Sequence, residues 1–256
     1  MLLELYLNLP YFSSVKEEVL SLACQAVRKA HAEENPSLCD QDVIDIPVSF
    51  DGSWPTRGHS SLSGFVSVID ILTGLVVDFH VFCRYYHMCT VRSIELGPDS
   101  DEFLEWQKKH RECVECDVNY TGSAPAMEMF GAEVLWKRSV DKNKMRYTTV
   151  LSDGDSKTVT HLNNLKPKPY GPDVVISKEE CMNHLSKRVG TALRNLVSEE
   201  KARKVTLGGR KEGSLKDTTT VKLQSYYHKA IKKNMPNIHT CYAESYYGDF
   251  ISYEFN

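Results

Sequence analysis

The sequence predicts an α/β domain: a mixed five-stranded sheet with flanking helices. Three β-rich segments follow one another between residues 43 and 82, with a hairpin signal between the second and third. Two later strand segments alternate with helical stretches, the pattern of a sheet that carries helices on its faces. At 256 residues and 41% hydrophobic, the chain is long enough to bury one sizeable core.

The elements follow in order. Residues 14–35 read as an amphipathic helix with Val15, Val19, Leu20, Leu22, Ala23 and Val27 on one side, Ser13 or Ser14 as cap, and Asn35-Pro36-Ser37 as stop. The first strand is the apolar run that ends in Phe50-Asp-Gly-Ser-Trp54. Residues 61–72 and 75–82 are the second and third strands, joined at Thr73-Gly74, so the three form an antiparallel meander. A Cys/His-rich insertion occupies residues 83–116. A helix follows, with Ser123 as cap and Pro125 in its first turn, through Trp136 to Val140. Residues 146–152 are the fourth strand, and Pro167, Pro169 and Pro172 mark a loop. A short strand at 174–176 and a helix from Lys178 to about Val197 come next. Residues 199–215 are charged and Gly-rich, and residues 223–231 are helical.

The expected organisation is a helical segment at 1–40, a core at 41–198 and a basic, partly flexible segment at 199–256. Strand, strand, strand, helix, strand, loop, strand, helix is the succession of a ribonuclease-H-like domain, in which the first and fourth strands lie side by side. That adjacency would bring Asp51 and Asp153 to one sheet edge, where open α/β sheets place their sites.

The net charge of −3 conceals an asymmetry: residues 181–234 hold thirteen Lys and Arg against four Asp and Glu. The split suggests a basic surface for polyanions on an acidic body, or a solvated helical face. No apolar run approaches the ~20 residues of a membrane span. The first residues also lack the basic start of a secretory signal. The sequence therefore reads as soluble and not secreted, with no membrane partner. Eight cysteines beside nine histidines favour thiols and metal ligands over a disulfide framework.

Four constellations carry candidate chemistry. Asp51 ends the first strand, and Asp153 and Asp155 end the fourth. Paired acids need a cation between them, and Mg²⁺ or Mn²⁺ can clamp both oxygens of a phosphoryl displacement; the same Asp-Gly pairs also form turns. Glu128 shares a helical stripe with Gly131, Ala132 and Leu135, as a metal-bound or paired carboxylate or one that snorkels. Cys83, His87, Cys89, His110, Cys113 and Cys116 offer structural zinc ligands, with Cys113-x2-Cys116 at knuckle spacing, or else are free thiols. Cys181-x2-His184 puts two ligand types on one helical face, for a metal or for packing. Lys187, Arg188 and Arg194 on the same helix can track phosphates.

Taken together, Phe50-Asp-Gly-Ser-Trp-Pro-Thr-Arg-Gly-His-Ser-Ser61, Gly122-Ser-Ala-Pro-Ala-Met-Glu128, Ser152-Asp-Gly-Asp-Ser-Lys157, Glu180-Cys-Met-Asn-His-Leu-Ser-Lys-Arg-Val-Gly190 and Leu223-Gln-Ser-Tyr-Tyr227 resemble the successive motifs of a Mutator-like transposase domain, over roughly residues 40–234. The resemblance implies a ribonuclease-H-like core that cuts and joins DNA with Mg²⁺ or Mn²⁺, in the nucleus. It maps Asp51 onto the first catalytic aspartate and Asp153, with Asp155 as the alternative, onto the second. Glu128 matches the Met-Glu motif, Cys181 and His184 the Cys-x2-His motif, and Cys83, Cys89, His110 and Cys116 the Cys/His-rich insertion. The family's third acid, on a helix beyond the Tyr-Tyr motif, has no counterpart in residues 237–256, so a truncated copy with an incomplete acid set is expected. A non-catalytic DNA-binding remnant and a zinc-stabilised interaction module are the competing expectations, and oligomerisation is left open.

Overall fold

The computed structural model describes residues 10–56, 61–111, 116–152, 157–180, 182–209 and 214–234. Three strands form the expected antiparallel meander: β1 (Ile44–Ser53), β2 (Ser63–Asp70) and β3 (Val76–Cys83). β4 (Met145–Ser152) lies parallel to β1, and β5 (Ser177–Glu180) parallel to β4, which completes a mixed sheet in the order β3-β2-β1-β4-β5.

The first helix, α1 (Pro10–Glu34), buries Leu20, Cys24, Val27 and His31. This i, i+4, i+7, i+11 stripe differs from the expected one, since Val19 and Leu22 are exposed. Two interactions tie the helix down. His31 Nε2 meets Asp70 Oδ1 at 2.8 Å, with both side chains buried, and Arg28 donates to the carbonyls of Lys144 and Gln41.

The insertion holds two helices, α2 (His87–Leu96) and α3 (Asp101–Arg111). The central helix α4 (Met127–Asn143) follows a 3-10 turn at Ala124–Ala126. Ser123 precedes that turn, but its side chain makes no cap hydrogen bond. Buried Met127, Ala132, Leu135 and Trp136 join Ile44, Ile46, Val48 and Phe50 of β1 and Val66 and Val68 of β2 in one core. The Trp136 indole meets Phe50 edge-on at 5.5 Å and donates to the Tyr147 carbonyl at 3.0 Å. Lys144, in the left-handed conformation, ends α4 and turns the chain into β4.

Two differences from the sequence reading have local causes. A further helix, α5 (Lys157–Asn164), buries Thr158, Val159 and Leu162; its β-branched and Asn residues give weak helix propensity, so packing against α4 decides it. The fifth strand sits at Ser177–Glu180 rather than at 174–176, because the Ile176 backbone is bonded to the Asn163 side chain instead of to a ladder. With 177–180 in the sheet, the next helix, α6 (Met182–Ala202), begins later than Lys178. It pairs with α7 (Asp217–Asn234).

Candidate functional site: the strand tips, the Cys/His group and the basic helices

The carboxylate of Asp51 stands exposed near the end of β1, with Oδ1 accepting the Gly52 N–H at 2.8 Å. On one side Asp51 faces Ser67 of β2. On the other side lies β4, with Ser49 opposite Leu151. β4 ends at Ser152, and Asp153 and Asp155 lie outside the described residues.

Trp54 closes this end of the sheet. A Cβ on Gly52 would come within 2.9 Å of its ring, and one on Gly64 within 2.0 Å. Two glycines on neighbouring strands therefore make the seat for an indole three residues past Asp51. Sequence reasoning missed this role, although Gly-Ser-Trp after a strand and an isolated Gly inside the next were its signal.

Glu128 occupies the first turn of α4, half-buried, with Gly131, Ala132 and Leu135 buried as the stripe requires. Gly131 lets α4 approach the sheet: a Cβ there would lie 2.5 Å from Val66 Cγ2. Upstream, Tyr120 donates to the Ser123 carbonyl, and its hydroxyl fills the space a Gly122 side chain would need.

The insertion supplies the one group of three metal-ligating side chains among the described residues, Cys89, His110 and Cys116, whose ligand atoms lie within 4.8 Å of one another. Burial first, and the neighbouring Cys116 thiol second, push the Cys89 thiol up to about 11. Cys83 stands outside the group, buried at the end of β3 with Sγ donating to the Tyr85 carbonyl at 3.1 Å. His87 is exposed beside the Tyr85 hydroxyl. Cys113 lies outside the described residues.

Of the basic residues on α6, Lys187 is exposed, Arg188 pairs with Glu180, and Arg194 pairs with Asp217 at 2.8 Å. Cys181 and the side chain of His184 lie outside the described residues. The flanking motif residues join the two helices: Gln224 donates to the Ser186 carbonyl at 3.1 Å, and the Ser186 hydroxyl meets His228 Nδ1 at 3.3 Å. Gly190 leaves the room, since a Cβ there would fall 2.2 Å from Gln224 Cδ.

No described helix is long and apolar enough to cross a membrane. A family model described as Mutator-like transposase matches residues 10–245. No curated protein and no solved structure matches the chain.

Proposed function

The chain belongs to the Mutator-like transposase family, and from that premise we propose that it cleaves and joins DNA strands with Mg²⁺ or Mn²⁺ held by carboxylates at the strand tips. Asp51 and Asp153 are the principal ligands, with Asp155 and Glu128 as further members of the acid set. The observation that carries this reading is the parallel pairing of β1 with β4, because the chain leaves β4 one residue before Asp153 beside the strand that bears Asp51. Carboxylate oxygens are the donors hard divalent cations prefer. The cation, when bound, activates the attacking water or 3′-hydroxyl and offsets charge on the phosphate.

Lys187, Arg188 and Arg194 contact the DNA backbone. The ion pairs of Arg188 with Glu180 and of Arg194 with Asp217 are exposed, and such pairs are worth about 0–1 kcal/mol, so exchanging a carboxylate for a phosphate costs little. In sequence, the Cys181-x2-His184 motif directly precedes these residues. The working compartment is the nucleus.

Nicking of supercoiled plasmid tests the proposal. The protein is expected to nick with Mg²⁺ or Mn²⁺, and Asp51→Asn to reduce nicking to background while leaving DNA affinity in place. No nicking at any Mn²⁺ concentration would overturn the strand-cleavage reading. Filter binding would then separate a DNA-binding remnant, whose affinity falls steeply with salt, from a protein with no nucleic-acid role.

A further inference from the structure

Cys89 lies in the first turn of α2, His110 in the last turn of α3, and Cys116 on the segment that returns to the sheet. The Cys89 and Cys116 sulfurs are 3.8 Å apart. A tetrahedral zinc with Zn–S bonds of about 2.3 Å holds two thiolates about 3.8 Å apart, so the observed spacing needs no rearrangement.

His110 adds an independent sign. Its ring is stacked on Trp106 at 4.5 Å and tilted against Tyr86 at 5.3 Å, which fixes its orientation. Among the described residues, His110 Nε2 is the one buried side-chain nitrogen or oxygen without a hydrogen-bond partner. A buried imidazole nitrogen left unpaired has lost its water without a replacement partner, and a metal bond supplies that partner.

The insertion also lacks other means of holding itself together. Helix α2 buries no residue and α3 buries only Phe103. Helices of 10 and 11 residues are marginal alone in water, and small units without a core depend on metals or disulfides. Just past Cys116 the chain is docked firmly. Asn119 accepts from the Cys83 N–H and donates to the Val81 carbonyl, each at 2.8 Å, and Tyr120 packs on Phe82.

We propose that Cys89, His110 and Cys116 bind a structural zinc ion that clasps both insertion helices to the segment leading back to β3. Thiolate and imidazole donors select this borderline-soft ion over Mg²⁺. The fourth position of the tetrahedron falls to a donor outside these three. Cys83, its thiol turned to the Tyr85 carbonyl, is not a ligand.

Metal analysis of the purified full chain tests this without DNA, so its outcome is separable from that of the cleavage assay. About one equivalent of zinc is expected. It should be retained in Cys39→Ser, which changes an exposed cysteine outside the group, and in Cys83→Ala, and lost in Cys89→Ser/Cys116→Ser. Cobalt exchanged into the wild-type protein should show the intense visible bands of a tetrahedral, thiolate-ligated ion, a readout that survives if the double variant fails to fold. Less than about half an equivalent of zinc, or a protein purified with Cys89 and Cys116 joined in a disulfide, would overturn the proposal. Loss of zinc from Cys83→Ala with an unchanged circular dichroism spectrum would overturn the ligand set.

Discussion

The seat of Trp54 can be filled by a single methyl group. Gly52 faces Val66 and Ser53 faces Phe65, so Trp54 arrives opposite Gly64, and the ring lies over the glycine as aromatic residues cover strand glycines elsewhere. In Gly64→Ala the new Cβ would lie 2.0 Å from Trp54 Cε3 and 2.1 Å from Cζ3. Nonbonded carbons rest at about 3.5–4.0 Å, so the indole must retreat by roughly 1.5–2 Å or swing away. Overpacking of this kind costs about 1–3 kcal/mol. Swinging away instead exposes about half of a ring that buries roughly 200 Å² when fully covered, or about 2.5 kcal/mol at 25 cal/mol per Å². Both routes converge near 2 kcal/mol. Urea unfolding followed by circular dichroism should show a midpoint lower by roughly 0.7–1 M, with a shift in tryptophan emission. In Trp54→Ala/Gly64→Ala the second change should cost nothing further, a coupling of about 1–2 kcal/mol. If Gly64→Ala unfolds like the wild type with unchanged emission, the seat does not exist as described.

Two further predictions concern the edge of the sheet at β3. Asp78 is fully buried and receives two hydrogen bonds from Arg138, at 2.7 and 2.8 Å, with Lys142 at 3.5 Å. Arg138→Met should therefore destabilise the fold by about 2–4 kcal/mol, somewhat less than the roughly 3–5 kcal/mol of a fully buried pair because Arg138 is partly exposed. Denaturant titration checks it, and Asp78→Asn/Arg138→Met should recover part of the loss. His80 is held below the usual histidine range by burial first and by the Arg138 charge second. The unfolded chain then takes up this proton more readily than the folded one, so the contribution is fully present above about pH 6.5 and is lost as pH falls below it. Unfolding measured across that range should lose this slope in His80→Gln; an unchanged slope would refute the assignment.

Much of the sheet was legible because strand signals are local. Alternating apolar residues and the Thr73-Gly74 turn define the meander, and chain order alone anticipates β4 beside β1. Helix α5 was not legible, because Thr158, Val159 and Leu162 form a stripe only once α4 offers a surface to receive it. The fifth strand was misplaced by three residues for a similar reason: Ile176 is apolar enough for a strand, but its backbone is claimed by Asn163, thirteen positions earlier. The family motifs were legible as residues but not as work done. Ser186, Gly190 and Gln224 join α6 to α7, a role visible only when the two helices meet.

By itself the sequence determined the fold class, the antiparallel start of the sheet, the family and the types of side chain available for metal and phosphate. These follow from short-range periodicity and from residue chemistry, which do not depend on distant neighbours. Only the tertiary structure decided that Cys89 and Cys116 approach to 3.8 Å beside His110 while Cys83, six residues from Cys89, turns its thiol to the Tyr85 carbonyl. It alone decided that two glycines on adjacent strands receive Trp54, three residues past Asp51. Spacing along the chain limits which side chains can meet. The packing of helices that bury few residues of their own selects which of them do.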